Sequence, residues 1–318
     1  VKPWGWLLLC TLIATGIWLG FFKPKEPTKP DTNPTVMTNQ VTAIIANDQQ
    51  LFLGLGNGVI QIWDIDQGIK TDEFVAHDGG IRSLLIDDGL LVSVGMKGSV
   101  ARWKNGTLVE RFRLTDSHLN AAITTQDSTI IVAGARGQIA KLGTQDPWHL
   151  KGIHGRAVFD LAQSDDGQRL FSVGTDGRIN RWNPNTGASI DGWSVGKHWL
   201  HTIQYRNGLL WTGDETGNVV VIDDSNGQEH LRLRLSDDRL ISSTNAGELI
   251  AFGTAKGQVH LVNTRTRTRT SSLTVMDGPV LGLWMSGQRL IVGGRGTTVR
   301  IYDDYGRDSP RELDVGGK

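Results

Sequence analysis

His198 and His201 stand three residues apart around Trp199 and Leu200, the nearest this chain comes to a pair of metal ligands. A zinc site needs three or four such donors in fixed geometry. Here the pair lies in a loop entering a strand, and no Cys or nearby carboxylate completes a set. Five acidic pairs, Asp87-Asp88, Asp165-Asp166, Asp223-Asp224, Asp237-Asp238 and Asp303-Asp304, set carboxylates side by side as acid–base chemistry does. Each falls in a stretch that reads as a turn, where Asp caps backbone N–H groups. The spacings of covalent haem, of a P-loop, of a nucleophile elbow and of a zinc protease helix are all absent. The expectation is therefore no catalytic residue, no metal site and no cofactor.

What organises the chain is a repeat. Leu170 to Trp182, LFSVGTDGRINRW, reads as one β-hairpin: an apolar run, a tight turn at Thr175-Asp176-Gly177, and a second strand closing on Trp182. Glycine supplies the positive φ such a turn requires. Equivalents of Trp182 are Trp63, Trp103, Leu142, Ile222, Val262 and Tyr302, so successive anchors are 40, 39, 40, 40, 40 and 40 residues apart. Five positions earlier stand Gly58, Gly98, Gly137, Gly177, Gly217 and Gly257, with Thr297 beside Gly296 in the seventh copy. Three positions earlier every residue is Ile or Val. A period near 40 in short strands is the signature of a propeller, whose sheets bury their faces only against one another. The expected fold class is all-β, a seven-bladed β-propeller of four-stranded antiparallel blades over residues 41–315, preceded by one transmembrane helix.

Composition agrees. Forty glycines serve many hairpin turns, and nine prolines leave the ladders uninterrupted. The chain carries no formal net charge; the first 34 residues hold four Lys against one Glu and one Asp, +2, which leaves −2 for the remainder. That balance gives no bulk bias toward nucleic acid, and none is expected as a partner. The single cysteine, Cys10, lies outside the repeats, so no internal disulfide can form.

The front of the chain reads differently. After a short tail, residues 1–3, the 19 residues from Trp4 to Phe22 carry no charge, enough to cross a hydrocarbon core of ~30 Å as a helix. Trp4, Trp6 and Trp18 suit the interfacial belts. The run is longer than the core of a cleaved signal peptide and lacks a small-residue cleavage site, which points to an uncleaved signal anchor, single-pass. Residues 23–40 read as a Pro- and Lys-rich linker. Lys23, Lys25 and Lys29 after the span argue for a propeller on the cytoplasmic side, whereas the very short basic tail is that of an anchor that exports the chain behind it. The expectation taken is the exported, periplasmic-type side. At the other end, Arg311 to Val315 supplies a fourth strand for blade 7, so the ring is expected to close between complete blades 1 and 7.

Blade 4 resembles a WD40 repeat, whose pattern joins a His between blades, a Ser or Thr ten residues before the Trp, an Asp six before it, and the Trp. Those slots hold His154, Ser172, Asp176 and Trp182. Blade 2 keeps His77, Ser93 and Trp103 with Lys97 in place of the Asp; Trp63-Asp64 keeps the dipeptide that names the family. The chain is thus similar to the WD40-repeat seven-bladed propellers, as a bacterial-type membrane-anchored member. The resemblance implies a buried hydrogen-bonded tetrad with a structural role, and inner hairpin turns that crown one face around a central channel.

In the turn slot where the family favours Asp, the seven copies have Asn57, Lys97, Arg136, Asp176, Thr216, Lys256 and Gly296, with Arg295 beside the last. Lys97, Arg136, Lys256 and Arg295 form a candidate rim for an acidic protein or peptide, since opposite charge steers association. His198 and Trp199 belong to the same candidate surface, Trp being common at binding hot spots. The leading functional expectation is a membrane-tethered, non-catalytic protein-interaction scaffold. The alternatives are a dedicated accessory or assembly factor of a membrane or envelope complex and, third, an enzyme or small-ligand sensor using the channel.

Overall fold

Runs of Val, Ile and Leu broken by glycine turns every few residues can satisfy their backbone groups only by pairing with their neighbours in sequence. The computed structural model describes residues 39–114, 118–144, 146–305 and 307–316. The chain divides into two units, Val1–Val36 and Met37–Lys318, and every described residue belongs to the second. The tail at residues 1–3, the apolar stretch 4–22 and linker residues 23–38 lie outside the described residues. Among the described residues no helix is long and apolar enough to cross a membrane.

The described residues form seven four-stranded antiparallel sheets, and in each one the four strands neighbour one another in chain order. Seven buried clusters accompany the seven sheets, and each lies between two neighbouring blades. Ile60, Ile62 and Phe52 of blade 1 meet Ile81, Leu84 and Trp103 of blade 2. Leu51, Leu53 and Trp63, on the other face of blade 1, meet Ile291, Val299 and Ile301 of blade 7. Strand alternation thus divides each blade's apolar side chains between two interfaces. Every repeat anchor faces the blade before it: Trp182 packs with Ile131 and Ile139, Ile222 with Phe171 and Ile179, and Val262 with Trp211 and Val219.

Blade 3 has the shortest outer strand, His149–Leu150, where the sequence marks only a reduced segment near Trp148 to Ile153. Blade 7 takes Arg311–Asp314 as its own fourth strand, paired to Thr298–Tyr302. Linker residues Asn39 and Gln40 already touch the propeller: the Gly56 N–H donates to the Gln40 carbonyl at 2.9 Å, and Asn57 Nδ2 donates to Asn39 Oδ1 at 2.9 Å.

The turn glycines are required where they stand. Gly177 has φ +68°, and a Cβ there would fall on the carbonyl oxygen of Gly196. That closeness exists because the Gly177 carbonyl accepts the Val195 N–H at 2.9 Å, tying the turn to the exit of the fourth strand. The bond recurs at Gly58, Gly98, Gly137, Gly217 and Gly257.

One irregularity repeats seven times. The register of each innermost strand slips by one residue near its start, so Thr42, Arg82, Asn120, Phe159, His201, Ile241 and Leu281 have no partner across the ladder. A β-bulge re-aims the extra side chain. Here all seven line a central channel of about 780 Å³.

Candidate functional site

Two sets of connections cap one face of the propeller: the turns between second and third strands, and the segments joining one blade to the next. The remaining turns cap the opposite face. Lys97, Arg136, Lys256 and Arg295 belong to the turns between second and third strands, His198 and Trp199 to the segment joining blades 4 and 5, so all six lie on the first of these faces.

In blade 4, Trp182 Nε1–H donates to Ser172 Oγ at 2.9 Å, Ser172 Oγ meets His154 Nε2 at 2.8 Å, and His154 Nδ1 meets Asp176 Oδ1 at 2.7 Å. With the imidazole proton on Nδ1, every donor in this chain has one acceptor. His154 and Ser172 are buried, and Trp182 is nearly so. Burial works against the Asp176 carboxylate, but the hydrogen bonds it accepts from His154 and from the Arg178 N–H help hold its pKa below the usual value. The Asp176 carboxylate also caps the turn by accepting the Arg178 N–H.

Other blades perform that capping from elsewhere. In blade 2, His77 Nε2 lies 2.8 Å from Ser93 Oγ, which accepts the Trp103 indole N–H, while His77 Nδ1 turns to Ser99 Oγ at 2.6 Å. Ser99 does the work of the missing Asp, two residues beyond Lys97. In blade 3 the Arg136 N–H is held by Gln138, in blade 5 the Thr216 N–H by the buried Asp214, and in blade 6 the Lys256 N–H by Thr254. In each the polar anchor sits two residues from the tip of the turn, which releases the tip side chains of Lys97, Arg136 and Lys256, whereas Thr216 Oγ1 itself donates to Asp214 and accepts from Asn218. Ser99, Gln138, Asp214 and Thr254 escape sequence reasoning, because no fixed residue type marks their slot.

His77 also gives a pH dependence. Burial first, and then the Arg111 charge, push it down to about 4, against the opposing effects of Ser93 and Asp78. The unfolded chain takes up this proton near pH 6.5 and the folded one only near 4. Stability present above pH 6.5 is therefore lost as pH falls through that window, about 3 kcal/mol from this residue alone. Urea unfolding at pH 7.0 and 4.5 is expected to show the loss, and His77→Gln is expected to reduce the difference between the two pH values.

The released tips are exposed: Lys97, Arg136, Lys256 and Arg295. The stem of Lys97 lies across Gly79 and that of Arg295 across Gly278, leaving both charged ends outward. Arg82, Arg156, Lys197 and Arg239 belong to the same face. Among the described residues none of these eight cations has a side-chain hydrogen bond or ion pair. Acids there are mostly engaged, Asp176 and Asp214 as above, Glu215 by His198 Nδ1 and the Trp199 N–H, and Asp237 by Arg234. Among the described residues Asp78, Asp238 and Asp277 remain, fewer than these cations.

On the opposite face and the perimeter, by contrast, most arginines are paired, Arg267 being an exception among the described residues. Arg102 pairs with the buried Asp87, Arg169 with the buried Asp224 at 2.7 Å, Arg181 with Asp191, and Arg289 with both Asp303 and Asp66. Several of these ties join neighbouring blades, as Arg169 does from blade 4 to blade 5. The Asp-Asp turns thus act partly through buried ion pairs, which their pairing in sequence does not announce.

His198 and His201 diverge. His198 is exposed and bound to Glu215, while His201 enters the channel mouth, stacked on Phe159 with ring centroids 4.8 Å apart. Trp199, 39% exposed, adds an edge contact to His201 at 6.3 Å and lies 5.9 Å from Phe159. Among the described residues no group of three or more His, Cys, Asp or Glu is placed to hold a metal ion.

Comparison with known proteins singles out the same blade. The family model for the WD domain, G-beta repeat (WD40), matches residues 149–183, which contain the whole tetrad. U3 small nucleolar RNA-associated protein 21 of Saccharomyces cerevisiae is 26% identical over 186 residues, covering 54% of this chain and 19% of that protein. The match thus spans about a fifth of the relative's length. Among solved structures, the crystal structure of the computationally designed Ika8 protein is similar with a TM-score of 0.67 at 18% identity, over 83% of this chain and 96% of that one. At that identity the likeness concerns the fold.

Proposed function

We propose that the chain is a protein-interaction scaffold whose basic face receives an acidic partner. The observation that carries this is the partition of charge: most arginines on the opposite face and perimeter are paired with carboxylates, Arg267 being an exception, whereas Lys97, Arg136, Lys256, Arg295, Arg82, Arg156, Lys197 and Arg239 around the channel mouth are all without side-chain partners among the described residues. An unpaired cationic surface raises the rate at which an acidic partner finds it and penalises basic competitors. Propellers with WD40 repeats generally bind proteins and are generally non-catalytic, which supports the reading by analogy of fold. The matched yeast protein is named as a U3 small nucleolar RNA-associated protein.

The reading extends to location. The uncharged run 4–22 supports a membrane tether, with the propeller on the exported side, and a tethered disc with one specialised face suits an accessory or assembly factor of a membrane complex. Affinity capture with the full chain tests the proposal. One stoichiometric acidic partner is expected for the accessory role and several for a general scaffold; capture of no protein contradicts both.

A further inference from the structure

The channel mouth contains more than the rim requires. Arg82 occupies the bulge of the innermost strand Ile81–Asp87 and lines the channel, half-buried, with no carboxylate beside it among the described residues. Arg239, in the connection entering blade 6, lines the same mouth, also without a partner among them. Both lie close enough to His201 for their charges to act on it: burial first, then Arg239, then to a smaller degree Arg82 push the imidazole down to about 4, so it is neutral at pH 7. Its Nε2 is buried and has no hydrogen-bond partner. Glu215 and Asp214 oppose the shift, yet each is already bound, Glu215 by His198 and the Trp199 backbone, Asp214 by Thr216 and Asn218.

A half-buried guanidinium without a counter-ion is costly in a folded protein unless something else supplies the charge. Elsewhere in the ring, innermost strands place polar residues where they join blades. Thr42 donates to the Ile81 carbonyl, Asn120 to Val158, Ser242 to Val280, and Asp160 accepts the Ile203 N–H. Arg82 joins nothing. Asp160 is the acid of the channel lining, but two backbone N–H groups, those of Ile203 and Leu161, claim its carboxylate. The Phe159, His201 and Trp199 rings contact one another, and Phe159 and His201 line the same channel as the two arginines.

We propose that the channel mouth on the basic face binds a phosphate monoester, its dianion held by Arg82 and Arg239 and its organic body laid against Phe159, His201 and Trp199. Two guanidinium forks without counter-ions match a doubly charged oxyanion better than a single carboxylate. A channel of about 780 Å³ falls within the size range of small-molecule sites. The site shares Arg82, Arg239 and Trp199 with the basic face, but its test reads binding of a small phosphate monoester rather than capture of a protein. Its ligand is a monoester, either free in solution or carried on the side chain of a polypeptide.

Calorimetric titration of the full chain at pH 7.5 tests it, with phenyl phosphate, inorganic phosphate, benzoate and a short phosphotyrosine peptide as probes. Saturable binding of phenyl phosphate is expected, with benzoate at least about tenfold weaker. Arg82→Met and Arg239→Gln are each expected to weaken binding about tenfold or more, and Arg265→Ala, on the opposite face, to leave it within about twofold. Arg239 is exposed, so its variant carries the test if Arg82→Met does not fold. A peptide far tighter than phenyl phosphate assigns the monoester to a polypeptide, and equal affinities assign it to a free ligand. Absence of saturation, benzoate binding as tightly as phenyl phosphate, or affinity unchanged by Arg239→Gln overturns the proposal, and none of these results touches the capture of an acidic partner.

Discussion

Deleting residues 309–318 is expected to lower the stability of the whole propeller by about 5 kcal/mol or more, because it strips the outer strand from the seam between the two ends of the repeat array. The segment carries the fourth strand of blade 7 and two buried side chains, Leu313 and Val315, which pack with Leu51, Leu53 and Trp63 of blade 1. Each such side chain contributes about 1.5–3 kcal/mol when buried. Polar ties at the seam go with them: Gln61 Nε2 donates to the Val315 carbonyl at 3.1 Å, and Arg311 donates to the Ile65 carbonyl at 3.0 Å. Gln61 also accepts the Trp63 indole N–H, so the anchor of blade 1 is held by a residue that itself depends on the seam. Thermal unfolding followed by circular dichroism measures the effect. A truncated chain that melts at the temperature of the intact one contradicts closure through this strand.

Ser172→Ala is expected to cost about 2–5 kcal/mol, a large effect for the loss of a single oxygen. The hydroxyl serves two partners at once, the Trp182 indole N–H and His154 Nε2, and Ser172 has no solvent exposure. Alanine keeps the packing but leaves both partners unsatisfied where water does not reach, at about 1–3 kcal/mol each. Urea denaturation reports the loss as a lower midpoint at unchanged slope. Thr212 occupies the matching slot of blade 5, where it donates to the Val220 carbonyl and no Trp or His depends on it. Thr212→Val is accordingly expected to cost about 1 kcal/mol, and equal losses in the two variants contradict the tetrad as the source.

The period, the anchors and the blade count are legible in the sequence because each rests on a property repeated in every copy. Apolar anchors meet the preceding blade, and turn glycines stand where a Cβ would strike a carbonyl. The tetrad of blade 4 is legible through its family pattern. What is not legible is what each blade does once it leaves the pattern. Gln138, Asp214 and Thr254 take the N–H of the turn tip from flanking positions and Ser99 takes the imidazole of His77, and only geometry shows these replacements. The channel mouth is hidden for another reason. Arg82, His201, Ile241 and Leu281 stand at one offset, 21 residues before their anchors, but a bulge does not constrain residue type, so the column has no common chemistry to notice. In sequence His201 pairs with His198 as the nearest thing to a metal site, whereas strand entry separates the two, one to the surface and one to the channel.

These departures bear on function together. Lys97, Arg136 and Lys256 are free to face a partner because the caps of their turns moved two residues away. The most direct measurement of that claim is capture by a chain carrying Lys97→Glu, Arg136→Glu, Lys256→Glu and Arg295→Glu, compared with the unaltered chain. All four side chains are exposed and unpaired among the described residues, so surface substitutions of this kind are expected to leave the melting temperature nearly unchanged. The account predicts that the acidic partner is lost while the propeller remains folded; a folded quadruple variant that retains its partner contradicts it.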